Sequence, residues 1–375
     1  MRIGIDARFY GSIGKGLGRY TQKLIEKLEK VDGENRYFVF LRKENFDEYR
    51  PKNKNFQKVL ADYRWYTFAE QIMMPRLLGK YELDLVHFPH FNVPIFYRKK
   101  FVITIHDLIL IHFPTLRGTT LNPLFYFFKF LAYKMTIKSA ISRARRIIAV
   151  SEFTKKDIVD NYKVQGNKIK ITYEACEDFC FFSEDSAKTI LKKYGIINPY
   201  IMYVGNAYPH KNLSRLVLAF NKIRESEEDL RLVLVGKEDY FYRQLKETVR
   251  RKKIENVIFA GFVPDCDLDE LYKNSRAYVF PSLYEGFGLP PLEAMAKGVP
   301  VASSSHSCMK EILGNSAWYF DGRRIEDMAD KIIEILKNEP LRKELIGKGY
   351  DRAKKYSWHV MARKTLEIYN ESGSK

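Results

Sequence analysis

The sequence predicts the α/β class, as two successive domains each built on a mostly parallel sheet. Three observations predict it. Short apolar, β-branched runs alternate with amphipathic stretches, the pattern of strand–helix units. The alternation runs through the chain twice. And 375 residues are more than one hydrophobic core usually organises.

In the first half the strands are expected at Arg2–Asp6, Tyr37–Leu41, Leu83–Phe88, Phe101–Ile105, Arg146–Val150 and Lys168–Thr172. The second half restarts at Tyr200–Val204 and continues through Arg231–Val235, Val257–Ala260, Ala277–Pro281 and Val299–Ser303. Two Rossmann-like domains follow, over 1–180 and 187–356, joined by the acidic, small-residue segment around Ser183–Ala187. Ligands are then expected in a cleft between the sheets, near the strand C-termini. The last stretch, about 357–375, repeats apolar residues at helical spacing and can close back onto either domain, the first included. No repeat of solenoid or propeller length is present.

Apolar residues make up 46% and charged residues 29%, without low-complexity tracts, so a folded chain with short linkers is expected. Against 46 acidic residues stand 64 Lys and Arg, a net charge of +18 that favours anionic partners. Cys176, Cys180, Cys266 and Cys308 lack paired zinc-type spacing, which fits a reducing compartment. Asp6 and Arg8 occupy the place of a signal peptide's apolar core, so a cytoplasmic protein is expected. The aromatic run 124–133 is interrupted by Lys129 and is too short to span a bilayer.

The segment FPSLYEGFGLPPLEAMAKGVPVASSS reads as a strand ending at Pro281, a glycine-rich loop, and a helix beginning near Leu289. Gly286 and Gly288 permit close backbone approach, and amides at a helix start attract an anion. Pro290 and Pro291 suit the first helical turn, where their missing N–H groups go unused. Glu285 would repel a phosphate, so it is assigned to hydroxyls, and Glu293 could accept hydrogen bonds from the two hydroxyls of a ribose. In YVGNAYPHKNL, Gly205 ends a strand and Lys211 stands near a helix start, where an ammonium can neutralise a departing diphosphate.

GSIGKGLGRY follows the first strand and opens a helix, so Gly14, Gly16 and Gly18 are candidates for backbone approach to a bound molecule. His106 ends the strand FVITI, and an imidazole there can hydrogen-bond a sugar hydroxyl, with Asp107 fixing its tautomer. His87 and His90 in HFPHFNVP are secondary acceptor-side candidates. Asp265-Cys266-Asp267 superficially matches a metal-binding triplet. Its position after Pro264, with Glu270 three residues beyond Asp267, instead suggests a capping box at a helix start.

EGFGLPPLEAMA at 285–296 resembles the E-x7-E signature of the family 4 retaining glycosyltransferases of GT-B fold. The likeness extends through GKGLGRY (14–20), HFPHFNVP (87–94), TIHDL (104–108), VSEFTKKDI (150–158) and YVGNAYPHKNL (203–213). It implies that Glu285 contacts the donor sugar, Glu293 the ribose, and Gly261-Phe262-Val263 the base pocket. It further assigns Gly205, Asn206, Gly286, Phe287, Gly288 and Leu289 to the donor, and His106, Lys211 and Glu285 to catalysis. Many family members carry an arginine where this chain has Asn206, which leaves the second cation of the diphosphate clamp unassigned.

Retention of configuration is expected through same-face substitution, because no carboxylate is assigned to attack the anomeric carbon. The donor is a nucleotide-diphosphate sugar, with GDP-mannose favoured by the likeness of HFPHFNVP and YPHKN to mannosyltransferase-like members. Neither metal nor other cofactor is expected. The acceptor is a glycan or a polyprenyl-linked sugar. Residues 117–156 hold nine Lys and Arg and a single acidic residue, Glu152. There Lys134, Lys138 and Arg145 share one helical stripe, and Leu124, Phe127, Phe128, Leu131 and Met135 another. This stretch either packs on its own sheet or rests peripherally on the anionic inner face of a membrane. No nucleic-acid motif accompanies the charge. A GT-B-type sugar-nucleotide epimerase or hydrolase, and a non-catalytic basic protein that binds membrane or polymer, are the competing readings.

Overall fold

The computed structural model describes residues 1–114, 123–176 and 184–373, except for the side chains of Ser12, Lys15, 123–126 and 184–186. Cys180, Ser183 of the expected linker, residues 117–122 of the basic stretch and the Leu124 side chain fall outside it.

The first sheet contains β1 (Arg2–Asp6), β2 (Arg36–Leu41), β3 (Phe56–Leu60), β4 (Leu85–Phe88), β5 (Phe101–Ile105), β6 (Arg146–Ala149) and β7 (Ile169–Ile171). The second contains β8 (Tyr200–Val204), β9 (Arg231–Val235), β10 (Val257–Gly261), β11 (Ala277–Phe280), β12 (Val301–Ser304) and β13 (Ala317–Phe320). Their orders are β3-β2-β1-β4-β5-β6-β7 and β10-β9-β8-β11-β12-β13. All pairings are parallel. Helices cover both faces of such sheets, so inner strands are apolar throughout. Every residue of β5 is buried, and so is every residue of β11.

The sequence reading missed β3 and β13, and both are edge strands. In β3 only Phe56 and Val59 are buried, and in β13 only Ala317 and Phe320, so neither carries the continuous apolar run of an inner strand.

The chain divides into two compact units. The first comprises Met1–Leu108, Thr119–Glu174 and Ser357–Lys375, and the second Ile109–Gly118 and Ala175–Tyr356. The last helix, Trp358–Gly373, belongs to the first unit and buries Trp358, Met361, Ala362, Ile368 and Tyr369.

Two expectations are corrected. The helix Asp265–Lys273 begins directly after Pro264, so Asp267 lies within its first turn and cannot cap it. Its carboxylate accepts instead from Lys193 Nζ at 2.7 Å and Tyr194 Oη at 2.6 Å. In the helix Pro123–Arg143 the apolar stripe at 127–135 does not pack inward. Ile137, Ala140 and Ile141 are buried, whereas Phe127, Phe128, Leu131 and Met135 are exposed. Arg145 lies beyond the end of that helix. Among the described residues no helix is long and apolar enough to cross a membrane.

Candidate active site

Each sheet reverses its winding once, between β1 and β4 and between β8 and β11. Loops leaving the strand ends at such a point diverge and open a crevice where α/β proteins bind ligands. The loops after β1, β8 and β11 at these points lead to the Gly14–Gly18 stretch, Lys211 and Glu285, while His106 follows β5 and Phe262 follows β10.

In the second unit, Gly205 follows β8 with φ +148° and donates its N–H to Val235 O at 2.9 Å. Asn206 bends the chain, its Oδ1 accepting from Tyr208 N at 3.2 Å. A single turn, Pro209–Lys211, then delivers Lys211. Asn212 adopts φ +62°, a conformation asparagine tolerates better than most residues. Its amide donates to Pro281 O at 3.0 Å and Gly322 O at 2.6 Å, while Leu283 N donates to His210 O at 2.8 Å. These bonds stitch the loop after β8 to the loop after β11. The stitching brings Lys211 Nζ within 2.6 Å of Glu285 Oε1, with both side chains mostly buried. Glu285 N is held by Ser307 Oγ at 3.2 Å.

Gly288, at φ +88°, starts the helix Leu289–Ala296, and a Cβ there would strike Met309 Cε at 2.6 Å. Its glycine is therefore favoured by backbone conformation, while the flexible Met309 side chain could give way. Gly286 is buried and Leu289 half-buried. Phe287 is buried beside Tyr356, and its carbonyl accepts from Cys308 Sγ at 3.3 Å. Glu293 lies one helical turn further, 8% exposed, with Tyr272 Oη 3.4 Å from its Oε2. At the end of β10, Phe262 is 73% exposed and Val263 is buried.

In the first unit the loop after β1 leads through Gly14 into the helix Lys15–Val31, whose first turn holds Gly16 and Gly18, and the three glycines differ. A Cβ on Gly14 would lie 2.1 Å from Phe9 O, and one on Gly18 2.0 Å from Gly11 O, whereas one on Gly16 would meet nothing within 4 Å. Gly14 and Gly18 thus make room for the chain's own carbonyls. Gly16 alone of the three turns an open face outward. The same loop is anchored by Arg8, which is fully buried. Arg8 donates to Asp6 at 2.7 Å and to Glu70 at 2.6 Å. Burial raises the Glu70 pKa, and Arg8 and Asn92 pull it back down.

His87 is corrected from an acceptor-side group to an internal one. It is wholly buried, with Nδ1 2.6 Å from Tyr369 Oη and Nε2 2.8 Å from Thr104 Oγ1. Burial pushes its pKa down to about 3, so the ring is neutral. His90, three residues on, stands among Phe9, Tyr66 and Phe91, with ring centroids 3.9–6.5 Å away. Its Nδ1 is buried without a hydrogen-bond partner among the described residues, and burial holds its pKa down to about 3.

His106 Nδ1 lies 2.9 Å from Glu174 Oε1 and Nε2 lies 3.0 Å from Pro89 O. The carbonyl only accepts, so Nε2 donates to Pro89 O, and a second proton, on Nδ1, would pair the ring as an imidazolium with Glu174. Burial opposes that charge, but the hydrogen bond and charge of Glu174 outweigh it and raise the pKa, with Pro89 O and Asp107 adding to the effect. The expected hydrogen bond from His106 to a sugar is therefore not open in this conformation, since both nitrogens are occupied. Glu174, not the half-buried Asp107, fixes the ring. Through Pro89, His106 braces the loop that carries His90.

Comparison with known proteins bears on the class of the chain. The family described as Glycosyltransferase Family 4 matches residues 14–176, and Glycosyl transferases group 1 matches residues 187–352. O-antigen chain mannosyltransferase B of Escherichia coli is 28% identical over 374 residues, covering 94% of this chain and 95% of that protein. O-antigen chain mannosyltransferase RfbU of Salmonella typhimurium is 27% identical over 274 residues, 72% of this chain and 71% of the other. Among solved structures, sucrose-phosphate synthase from Thermosynechococcus elongatus superposes with a TM-score of 0.75 at 18% identity, covering 99% and 98% of the two chains. Two parallel α/β units that superpose on such a structure define the GT-B fold. With the two profiles spanning most of its length, the chain belongs to the family 4 glycosyltransferases.

Proposed function

We propose that this enzyme is a retaining hexosyltransferase that takes mannose from GDP-mannose and passes it to a polyprenyl-linked or polysaccharide acceptor. The observation that carries the reading is the Lys211–Glu285 pair at the winding reversal of the second sheet, beside the helix that starts at Leu289. An ammonium and helix-start amides suit a diphosphate, and a carboxylate alongside suits sugar hydroxyls. Glu293, one turn into the helix, then takes the ribose, and the exposed Phe262 the base. The names of the two O-antigen relatives favour mannose.

In the transfer, the bond from the anomeric carbon to the phosphate oxygen breaks, and the acceptor oxygen bonds to that carbon on the same face. The acceptor proton passes to the departing phosphate, whose charge Lys211 and the helix amides hold. On the first unit, the open backbone at Gly16 and the unpartnered Nδ1 of His90 are the groups assigned to substrates, and His106 keeps the His90 loop in place.

The acceptor's lipid is matched by the helix Pro123–Arg143. Its exposed Phe127, Phe128, Leu131 and Met135 stand among Lys129, Lys134 and Lys138, a face suited to an anionic membrane interface on the cytoplasmic side.

The test is incubation with GDP-mannose, UDP-glucose and ADP-glucose, with and without a polyprenyl-diphosphate-linked sugar, following nucleotide release and the product anomer by NMR. Mannose transferred from GDP-mannose with its configuration kept is expected. Donor consumption that ignores the acceptor would instead indicate the hydrolase or epimerase reading. Inversion at the anomeric carbon would reject the proposed chemistry.

A further inference from the structure

Charge balance at the second unit's winding reversal leaves a gap. Lys211 already sits 2.6 Å from a carboxylate, so the Lys211–Glu285 pair is close to neutral as a unit. His210 is buried and its pKa pushed down to about 4, so it adds no charge at neutral pH. His306 is tied to Asp321 at 3.0 Å, and Lys297 to Asp269 at 3.0 Å. Asn206, at the end of β8, is uncharged. A nucleoside diphosphate carries more than one negative charge, and in a partly buried crevice an unbalanced anion is costly.

We propose that Lys237 is the second diphosphate-binding cation of this enzyme, serving from the end of β9 where Asn206 cannot serve from the end of β8. The inference rests on the reading of the Lys211 loop as the diphosphate site. β8 and β9 run parallel, with Val204 opposite Val235, so Gly205 and Gly236 leave the sheet side by side and Asn206 and Lys237 follow on adjacent strand ends. The two glycine backbones touch. A Cβ on Gly236 would lie 2.1 Å from Gly205 O, a carbonyl also bound by Tyr242 Oη at 2.8 Å. Lys237 is therefore the first side chain beyond β9, and it starts next to Asn206.

Lys237 is exposed and makes no ion pair or hydrogen bond with the described residues. The acidic residues that follow it would be its natural partners, yet both are engaged. Glu238 is paired with Lys246, and Asp239 caps the helix Tyr240–Arg251 by accepting from Tyr242 N at 3.0 Å. The chain places an uncommitted ammonium on a long arm at this edge and turns the neighbouring carboxylates away.

The experiment is calorimetric titration of GDP and UDP, each alongside its monophosphate, into the wild-type protein, K237M, K237R, K211M and N206R/K237M. K237M should bind the preferred diphosphate about tenfold more weakly, with a shallower salt dependence and a smaller change for the monophosphate. K237R should stay near wild type, and adding N206R to K237M should recover most of the loss. Because Lys237 is exposed, its variants are expected to melt like the wild type. Unchanged diphosphate binding by K237M, in a protein where K211M weakens it, overturns the role of Lys237 alone. A loss in K237M that neither K237R nor N206R repairs also overturns it. Wild-type-like binding by both K211M and K237M, or no diphosphate binding by the wild type, sinks the diphosphate reading itself.

Discussion

Lys211 and Glu285 are 74 positions apart in the chain, yet Nζ and Oε1 lie 2.6 Å from each other. They meet because Asn212 and Leu283 cross-link the loops leaving β8 and β11. The pair arrives at substrate already assembled, which lowers the ordering cost that binding would otherwise carry.

Lys211→Met and Glu285→Gln should each lower kcat/KM by about 100-fold or more, roughly 3 kcal/mol of transition-state stabilisation. The double variant should lose much less than the product of the two, since the partners act as one unit. Steady-state kinetics alongside melting curves checks this. Losses that multiply would mean that the two groups serve separate steps.

Gly16 and Gly18 separate fold from function where the loop after β1 enters the helix Lys15–Val31. Gly18→Ala must displace the Gly11 carbonyl and should cost about 1–3 kcal/mol of stability. Gly16→Ala meets no atom within 4 Å, so its melting temperature should hold or rise while activity falls. Full activity in Gly16→Ala would remove this loop from the substrate site.

Much of this arrangement is readable in the sequence, and the reasons for the rest are physical. The inner strands announce themselves as apolar runs because both faces are covered, and Glu285, Glu293 and Lys211 stand in a strand–loop–helix pattern whose electrostatics can be argued from spacing. The two edge strands are half-exposed and leave only a faint signal. Gly14, Gly16 and Gly18 are identical letters, and only the position of the Phe9 and Gly11 carbonyls tells them apart. His87 and His90 present the same difficulty, since which histidine points inward depends on Tyr369, 282 residues beyond His87. Glu174 and Lys237 gave no motif at all. The local signal at Lys237 is the glycine directly after a strand, which Gly236 shares with Gly205.

Stability should respond to pH in opposite senses at His87 and His106. The His87 pKa falls from 6.5 in the open chain to about 3 when folded, so its contribution is complete above pH 6.5 and is lost as pH falls toward 3. Replacing His87 with Gln should flatten the acid side of the stability curve by about 1.4 kcal/mol per pH unit. The His106 pKa is raised, so its contribution is present below pH 6.5 and disappears as pH rises through the folded value. Accordingly, the deficit of Glu174→Gln relative to wild type should shrink as pH is raised. Urea unfolding across the pH range measures both.

Arg8→Met should be among the more damaging substitutions in the first unit. It leaves the buried Glu70 and Asp6 without their cation, at a cost of about 3–5 kcal/mol. Arg8→Met combined with Glu70→Gln should recover part of that loss in denaturant titration.

Phe127→Ser with Phe128→Ser should reduce co-sedimentation with vesicles containing anionic lipid by about tenfold, without lowering the melting temperature, because both rings are already in water. Binding by the wild type should weaken with salt and be slight on neutral vesicles. Equal sedimentation of variant and wild type would separate this helix from any membrane role.

The hydrogen bond between Tyr369 and His87 also sets a timetable. A ribosome delivers β4 and its histidine early, but the helix that covers them comes only after the whole second unit has been made. The unit begun first is therefore finished last. Until then the face awaiting Trp358, Met361 and Tyr369 stays bare, so newly made chains are vulnerable to chaperone capture and proteolysis along the first unit. Termination directly before this helix should yield a well-formed second unit tethered to an incomplete first one.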